Sequence, residues 1–226
     1  MFMEAAVNTR PCPTRLVVLT GSSRGIGAAL VTEIEGPGTT LILPTRRDQA
    51  EGMHIAVPLD LSMGAASGAV VAQAVADRSA DEIWFFDVAA VLPLHRVIYD
   101  GFPEAWRDAM QINVAAPLAI GSALLQRARL AGSRFRAVHL TSGAATRPIT
   151  GWGAYGMTKA AAALGWATLA AEEPDTTVAI IDPGAVDTGM QVALREACDP
   201  AAAPIERLMT PGDAACRILE QAGWYG

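Results

Sequence analysis

Short apolar runs alternate with helical patterns along the whole chain. Six runs rich in β-branched and aromatic residues have the length of buried strands, and they lie at 16–20, 39–45, 54–60, 82–90, 135–141 and 176–182. Apolar residues at helical spacing lie at 28–34, 63–77, 103–131, 153–172 and 211–222. Strands that alternate with helices predict a parallel sheet with helices on both faces. We therefore expect one α/β domain over 1–226, with a doubly wound sheet of six or seven strands.

The N-terminal segment 1–14 lies outside this alternation. It has an early acidic residue, two prolines and no apolar stretch, so we expect a tail and not a signal peptide. No run of about 18 apolar residues occurs in the sequence, so we expect no membrane-spanning helix.

Composition excludes several classes of partner. The net charge is −6 and the sequence pI is 5.1, which argues against nucleic acid or an anionic membrane as the main partner. Cys12, Cys198 and Cys216 are odd in number, far apart and without metal-ligand spacing. We therefore expect a cytoplasmic protein without disulfides and without a bound metal.

A glycine-rich turn joins the first strand to the first helix. Gly21, Gly25 and Gly27 let backbone N–H groups approach a phosphate at the helix N-terminus. Such a turn is a weak signal by itself, but between a strand and a helix it favours dinucleotide binding. In parallel sheets, ligands bind beyond the carboxyl ends of the strands, which is where this turn lies.

Arginines follow the second strand. Arg46 and Arg47 stand where an acidic residue would bind the ribose hydroxyl of NAD, and Arg24 lies inside the glycine turn. Guanidinium groups at this position suit the 2′-phosphate of NADP. The alternative is that these arginines are solvated loop charges. We expect NADP(H) as the cofactor.

One lysine and one tyrosine form a helical pair. Lys159 is the only lysine in the chain, and Tyr155 precedes it by four residues, which places both on one face of a helix. A nearby ammonium favours the phenolate and lowers the pKa of a tyrosine, which would let it exchange a proton near neutral pH. The alternative is an ordinary packed or surface tyrosine, since such pairs are common in helices.

These features occur together in the short-chain dehydrogenase/reductase family, which the sequence resembles from Leu16 to Ala222. The matching segments are Thr20–Gly27, Asp60-Leu61, Asn113, Ser142, Tyr155–Lys159 and Pro183–Thr188. Their order and spacing agree with the family. Within it, 148–155 and 187–196 are most similar to the sepiapterin reductase and benzil reductase branch, which reduces small carbonyl compounds with NADPH.

The resemblance implies catalytic roles for four residues on a Rossmann-type domain. Tyr155 would give a proton to the carbonyl oxygen, and Ser142 would orient that oxygen. Lys159 would bind the nicotinamide ribose and lower the pKa of Tyr155. Asn113 would hold a water that relays protons to the lysine. A donor aimed at the developing alkoxide is what hydride addition to a carbonyl requires.

The resemblance also implies the residues around the ligands. The implied NADP(H) contacts are Gly21, Ser23, Arg24, Gly25, Ile26, Gly27, Arg46, Arg47, Asp60, Leu61, Ala89, Ala90, Tyr155, Lys159, Pro183, Gly184, Val186 and Thr188. Trp152 and Met190 are expected to line the substrate pocket with Ser142, although ordinary packing is an equal alternative for both. The segment 187–210 is expected to cover the substrate.

The sequence departs from the family at two places. Asp87-Val88-Ala89-Ala90 replaces the usual Asn-Asn-Ala-Gly after the fourth strand, which removes hydrogen bonds and backbone room near the cofactor. The expected seventh strand is absent. His139 lies inside the apolar fifth strand, where a packed histidine is a better interpretation than a catalytic one.

We therefore expect an NADPH-dependent reductase of a small ketone or diketone. One alternative is an alcohol dehydrogenase working in the opposite direction with NAD, which an acidic residue near the ribose would favour. A second is a 3-ketoacyl reductase, which would need a basic docking surface for an acyl carrier near the mouth of the pocket. The arginines at 127–136 lie at the amino end of the sheet, away from the pocket. A non-catalytic NADP-binding sensor or scaffold is the alternative from another class, and the intact set of four catalytic residues argues against it.

The helix after Lys159 is apolar around much of its circumference, AAAALGWATLAAEE. A helix that is apolar on two sides is usually buried on two sides. We therefore expect a homodimer or homotetramer through the helices at 103–131 and 153–172.

Overall fold

The protein, seen here as a computed structural model, is described at residues 13–46, 54–94 and 104–225. Within these ranges the strands are β1 (Arg15–Leu19), β2 (Thr39–Thr45), β3 (Ile55–Pro58), β4 (Glu82–Asp87), β5 (Arg134–Leu140) and β6 (Thr177–Ile181). Its α-helices are α1 (Gly25–Ile34), α2 (Ser67–Val75), α3 (Glu104–Met110), α4 (Ala116–Ala131), α5 (Gly153–Glu172), α6 (Gly189–Glu196) and α7 (Pro211–Ala222).

The strands form one parallel sheet in the order β3-β2-β1-β4-β5-β6. From β1 the strands β2 and β3 add to one side of the sheet, and β4, β5 and β6 then add to the other side. This reversal leaves a crevice beyond the carboxyl ends of β1 and β4, the usual ligand position in open α/β sheets. The predicted single Rossmann-type domain is confirmed.

Alternate side chains of the central strands build two cores, one on each face of the sheet. Val18 and Phe85 point to the face that α2, α4 and Trp166 of α5 cover. Leu19 and Phe86 point to the opposite face, under α1 and α7. All five side chains are fully buried, as expected for strands covered on both sides.

Element boundaries differ from the predicted ones mainly around β4 and the long helix after it. The predicted strand 82–90 ends at Asp87, because the chain turns there into the crevice. The predicted helix 103–131 begins at Glu104 among the described residues and contains a π-helical turn at Gln111–Ala115. A π-turn adds a residue to the helix and is frequent at functional sites, and it holds Asn113.

The helical segment Glu104–Ala131 is long and apolar enough, by length and composition, to cross a membrane. Ile120 and Leu124 on this segment are fully buried against strand residues. Such burial is the pattern of a helix in the core of a folded domain.

At the amino ends of the central strands, a buried carboxylate lies among arginines. Glu82 accepts hydrogen bonds from the Trp84 indole at 2.9 Å and from Arg15 at 3.2 Å, and it pairs with Arg134 and Arg136. Burial acts to raise the pKa of Glu82, but the indole and the guanidinium groups hold that pKa below its usual value. These arginines therefore lie far from the crevice and support the fold.

The sheet ends at β6 among the described residues, and no seventh strand follows it there. The chain instead continues from α7 into Trp224, which is 5% exposed. Its ring packs edge-on against Trp84 with centroids 4.9 Å apart, and the Arg15 guanidinium lies 4.1 Å from its centroid. Trp224 thus fixes the end of the chain to the amino half of the sheet.

The segment between β6 and α7 leaves and re-enters the domain at neighbouring points. Val186 forms a parallel bridge with Met209, and the Asp187 N–H donates to the Met209 carbonyl at 2.9 Å. Between these points lie α6, which the sequence analysis did not predict, and a 3₁₀ turn at Ile205–Arg207. We refer to 187–209 as the covering segment.

Candidate active site

A cavity of about 350 Å³ lies in the crevice at the carboxyl ends of the strands. Most of the predicted ligand-binding residues line it, namely Gly21, Ser23, Arg24, Gly25, Ile26, Arg46, Asp60, Leu61, Ala89, Ala90, Ser142, Tyr155, Lys159, Pro183, Gly184, Val186, Thr188 and Met190. The residues come from the segments after all six strands and from α5, so the fold brings the predicted set together. Gly27 and Trp152 do not line this cavity, and Arg47 lies outside the described residues.

The glycine turn needs its glycines for different reasons. Gly21 has a φ of +76°, and a Cβ there would lie 2.9 Å from the Ala89 backbone nitrogen. At Gly27 a Cβ would lie 2.0 Å from the Gly21 carbonyl oxygen. Gly27 therefore lets α1 pack against the turn, and its predicted contact with the cofactor stays a prediction.

The N-terminus of α1 opens into the cavity. Arg24 precedes the helix and makes no capping hydrogen bond with its side chain, while Gly25 and Ile26 line the cavity wall. The first N–H groups of a helix have no partners within it and carry partial positive charge. This arrangement fits the pyrophosphate of a dinucleotide.

The adenosine end of the cavity carries a basic residue beside an acidic one. Arg46 follows β2 and is exposed, and its charge is felt by Asp60 after β3. A hydrogen bond from the Ser62 backbone N–H, 2.9 Å from Oδ1, holds the pKa of Asp60 below its usual value, and Arg46 adds to that effect. A guanidinium at this point fits the 2′-phosphate of NADP(H).

Tyr155 and Ser142 face one another across the inner end of the cavity. Tyr155 is 6% exposed and sits in the first turn of α5. Burial raises the pKa of its phenol to about 12, a hydrogen bond with Ser142 opposes that rise, and the charge of Asp182 adds to it. Ser142 follows β5, and its Oγ accepts from the Ala144 N–H at 3.2 Å.

Lys159 lies one turn after Tyr155 on the same face of α5. Its ammonium donates to the Leu140 carbonyl at 2.6 Å and lies 5.9 Å from the centroid of the Tyr155 ring. The expectation that Lys159 lowers the pKa of Tyr155 is wrong for this structure. The ammonium is held by the β5 carbonyl, and burial dominates the pKa of the phenol.

The charge of Lys159 is itself affected by its surroundings. Burial lowers the pKa of the ammonium, and the carboxylate of Asp87 acts in the opposite direction. Lys159 is 3% exposed, so the two effects act on a group with almost no contact with solvent.

Asn113 is buried in the π-turn behind the cavity. Its Oδ1 accepts from the Val91 N–H, and its Nδ2 donates to the Val91 carbonyl and to Thr158 Oγ1, at distances of 2.9, 2.9 and 3.0 Å. The amide therefore joins the loop after β4 to α5. Its predicted part in a water relay stays a prediction.

The segment in which the sequence departs from the family begins at the end of β4 with a buried pair of residues. Asp87 accepts a hydrogen bond from Nδ1 of His139 on the neighbouring strand, with Oδ2 and Nδ1 2.7 Å apart. Both residues are buried, which agrees with the packed role expected for His139. Ala89 approaches Gly21 closely, so the loop keeps the small residue that this contact needs.

Trp152 packs behind Tyr155 and not in the cofactor cavity. The two rings meet edge-on with centroids 5.8 Å apart, and the indole N–H donates to Asp199 Oδ2 at 3.2 Å. Trp152 also lines a separate apolar groove of about 710 Å³ formed by 144–153 and the start of α5. Trp152 shares an apolar cluster with Tyr155 and Met190, so its predicted place in the substrate pocket stays a prediction.

Several cavity residues were missed by the sequence analysis. They are Ser22, Pro44, Thr45, Leu59, Val88, Val91, Ile112, Leu140, Thr141, Asp182, Gly189 and Gln191. Most are neighbours of predicted residues, and the strand-end rule would have found them. Asp182 is the one that carries a charge, and its position directly before Pro183-Gly184 was the available signal.

Neither a metal-ligand cluster nor a disulfide is found among the described residues. Within 13–46, 54–94 and 104–225, no three His, Cys, Asp or Glu side chains lie close enough together to hold a metal ion. Cys198 and Cys216 are free thiols, and Cys12 lies outside those ranges.

The parallel sheet, the open helix N-terminus and the cavity define a dinucleotide-binding domain of the Rossmann type. The sequence matches the short chain dehydrogenase family over residues 15–199. The chain therefore belongs to the short-chain dehydrogenase/reductase family, whose members are oxidoreductases that bind NAD(P) and act on small molecules.

Relatives with named activities agree with the predicted branch. The chain is 26% identical over 198 residues to a benzil reductase ((S)-benzoin forming) of Bacillus cereus, covering 80% of each protein. It is 31% identical over 205 residues to the sepiapterin reductase of Bos taurus, covering 80% of this chain and 76% of the relative. The crystal structure of the KRED1-Pglu enzyme superposes with a TM-score of 0.77 at 26% identity, over 92% of this chain and 95% of that one.

Proposed function

We propose that the protein is an NADPH-dependent reductase of the carbonyl group in a small ketone or diketone. The observation that carries this proposal is the single cavity that contains Ser142, Tyr155 and Lys159 together with the glycine turn and Arg46. A proton donor, an oxygen-orienting hydroxyl and a dinucleotide site are then within reach of one bound carbonyl.

In this proposal Tyr155 is the acid and Ser142 holds the carbonyl oxygen. NADPH held by the glycine turn and Arg46 would supply a hydride to the carbonyl carbon, and the carbonyl oxygen would become an alkoxide. The Tyr155 hydroxyl donates its proton to that oxygen, and the Ser142 hydroxyl donates a hydrogen bond that stabilises the developing charge. Lys159, fixed by the Leu140 carbonyl, would bind the nicotinamide ribose of the coenzyme.

The protonated form of Tyr155 is the form that the proposed reduction uses. A phenol whose pKa is raised to about 12 carries its proton throughout the physiological range. Reduction needs this protonated form, whereas oxidation of an alcohol needs the phenolate as a base.

A preference for NADPH over NADH rests on Arg24 and Arg46 at the outer end of the cavity. The test compares the Arg46→Ala variant with the wild type, using both coenzymes in turn. We expect KM for NADPH to rise about tenfold while KM for NADH changes little, since a charge-assisted contact with the 2′-phosphate is lost. Equal effects on both coenzymes would contradict the assignment.

The carbonyl substrate is proposed from the activities of the relatives, benzil reductase and sepiapterin reductase. The experiment follows coenzyme oxidation with benzil, sepiapterin, a simple aldehyde and a β-ketoacyl thioester. Turnover of a diketone that Tyr155→Phe abolishes would support the proposal. Preferred turnover of the thioester would support a 3-ketoacyl reductase instead, and NADPH binding without any turnover would support a non-catalytic sensor.

We further propose that the protein is cytoplasmic and assembles as a homodimer or homotetramer through 103–131 and 153–172. The side chains of Met157 and Leu164 on α5 are 50% and 69% exposed, which leaves apolar surface on that helix. Sedimentation of the wild type and of Leu164→Glu tests this. A wild-type monomer, or an oligomer unaffected by the substitution, would contradict the interface.

A further inference from the structure

Asp182 is an acidic residue at the inner end of the cavity, and the proposed reaction does not use it. It follows β6 directly, is exposed, and lines the cavity together with Ser142 and Tyr155. The Thr141 N–H donates to the Ile181 carbonyl at 2.8 Å, which joins the strand ends that precede Ser142 and Asp182. The carboxylate therefore belongs to the wall next to the carbonyl-binding residues.

The backbone holds this carboxylate in place. Oδ1 of Asp182 accepts from the Gly184 N–H at 2.9 Å, a local turn that acidic and amide side chains commonly make. Among the described residues, no salt bridge to Asp182 is formed. Lys159, the cation on the same wall of the cavity, donates to Leu140. The charge of Asp182 is also felt at the Tyr155 phenol, whose pKa it helps to raise.

The charges of the cavity are separated along its length. Arg46 follows β2 and Asp182 follows β6, and three strands lie between those two. At about 4.8 Å per strand the two ends are roughly 19 Å apart. The basic end fits the phosphates of the coenzyme, and the acidic end lies beside the hydroxyl that would protonate the substrate.

We propose that Asp182 selects ketones that carry a protonated amine close to the carbonyl and disfavours ketones that carry a carboxylate. This inference rests on the proposed function, because it places the substrate carbonyl at Ser142 and Tyr155. A carboxylate in a partly enclosed cavity attracts a cationic substituent and repels an anionic one. The substrate class is thus an aminoketone, in place of the keto acids that a basic pocket would take.

The test uses three ketones that share a benzoyl group. They are 2-amino-1-phenylethanone, 2-hydroxy-1-phenylethanone and benzoylformate. The experiment is done at a mildly acidic pH, where the aliphatic amine is protonated. Their binding is measured by calorimetry to the Tyr155→Phe protein saturated with NADPH, so no turnover is required. Turnover by the wild type tests the proposed reductase activity, whereas binding to the variant tests this inference. Failure of one can therefore be told apart from failure of the other.

We expect the amine to bind about tenfold more tightly than the alcohol, and benzoylformate to bind most weakly. The further substitution Asp182→Asn should remove the difference between amine and alcohol, while asparagine keeps an acceptor for the Gly184 N–H. Asp175→Asn, an exposed acid at the other end of β6, is the matched control and should leave the order unchanged.

Two outcomes would overturn the inference. The first is an order of affinities that is the same with aspartate and with asparagine at 182. The second is an equal change for all three ketones, because Asp182 would then act on the phenol or on the nicotinamide and not on the substituent.

Discussion

Oδ2 of Asp87 and Nδ1 of His139 lie 2.7 Å apart at the carboxyl ends of β4 and β5. The second nitrogen of His139, Nε2, has no hydrogen-bond partner among the described residues, and its ring stacks on Trp166 with centroids 6.5 Å apart. The pair occupies the start of the segment in which the sequence departs from its family. The first residue of this segment, Asp87, is therefore a buried carboxylate that accepts a hydrogen bond from His139. Its negative charge raises the pKa of Lys159.

Replacing Asp87 by asparagine should change the pH dependence of reduction. Burial lowers the pKa of Lys159 and Asp87 raises it, so loss of the carboxylate lowers that pKa further. We expect the alkaline limb of the pH profile of kcat/KM, which loss of the Lys159 proton would set, to move toward lower pH. The other titratable groups around the lysine are His139, Tyr155 and Asp182, and the substitution leaves all three in place.

The control for Asp87→Asn is His139→Asn. This variant keeps the carboxylate but removes the histidine, so the alkaline limb should stay near its wild-type position even if the activity falls. An equal shift in both variants would mean that disruption of packing, and not the charge of Asp87, moves the limb.

The raised pKa of Tyr155 predicts a loss of stability at high pH. The folded phenol has a pKa of about 12, above the usual value of about 10 in an unfolded chain. The stabilising contribution is therefore complete below about pH 10 and is lost as pH rises through about 12. The free energy of unfolding of the wild type, minus that of Tyr155→Phe, should fall across this range. A difference that does not vary with pH would show that the phenol is not shifted.

The bond between Trp152 and Asp199 predicts a role for the covering segment in substrate binding. Asp199→Ala removes the acceptor of the indole N–H and frees the ring that packs on Tyr155. The loss of one hydrogen bond, about 1 kcal/mol, should raise KM for the diketone about fivefold with a smaller effect on kcat. Glu206→Ala, an exposed acid in the same segment, should leave KM unchanged. Equal effects of the two substitutions would contradict a specific anchor.

Trp224 is expected to stabilise the domain although it lies at the end of the chain. Trp224→Ala removes its ring contacts with Trp84 and Phe86 and the guanidinium contact with Arg15. Truncation of a buried tryptophan costs about 3–5 kcal/mol. Tyr225→Ala, at a residue that is 62% exposed, should cost less than about 0.5 kcal/mol. Urea denaturation of both variants measures the difference, and similar midpoints would show that the C-terminus contributes little.

The parallel sheet and the position of the cavity could be predicted because local rules decide them. The alternation of strands and helices predicts a parallel sheet, and the strand-end rule then collects residues far apart in sequence, such as Gly21 and Ser142. The bounds of β2, α5 and α7 agree with the sequence patterns to the residue, since turn and cap residues border each element.

Side-chain directions could not be predicted in the same way. Whether Lys159 turns toward Tyr155 or toward the Leu140 carbonyl depends on tertiary packing, which helical spacing does not describe. The contact of Trp152 with Asp199 joins residues 47 positions apart, across a segment whose helix α6 gave no recognised sequence signal. Long-range polar contacts of this kind decide which predicted residues face the cavity.

The bridge between Val186 and Met209 brings the two ends of the covering segment side by side. A loop with adjacent ends can be exchanged for another without separating the strands and helices that carry it. We therefore expect that this segment can be replaced, in evolution or by protein engineering, without disruption of the fold. New substrate preferences can be introduced on the same nucleotide-binding domain by changing these residues, while Tyr155 and Lys159 remain unchanged.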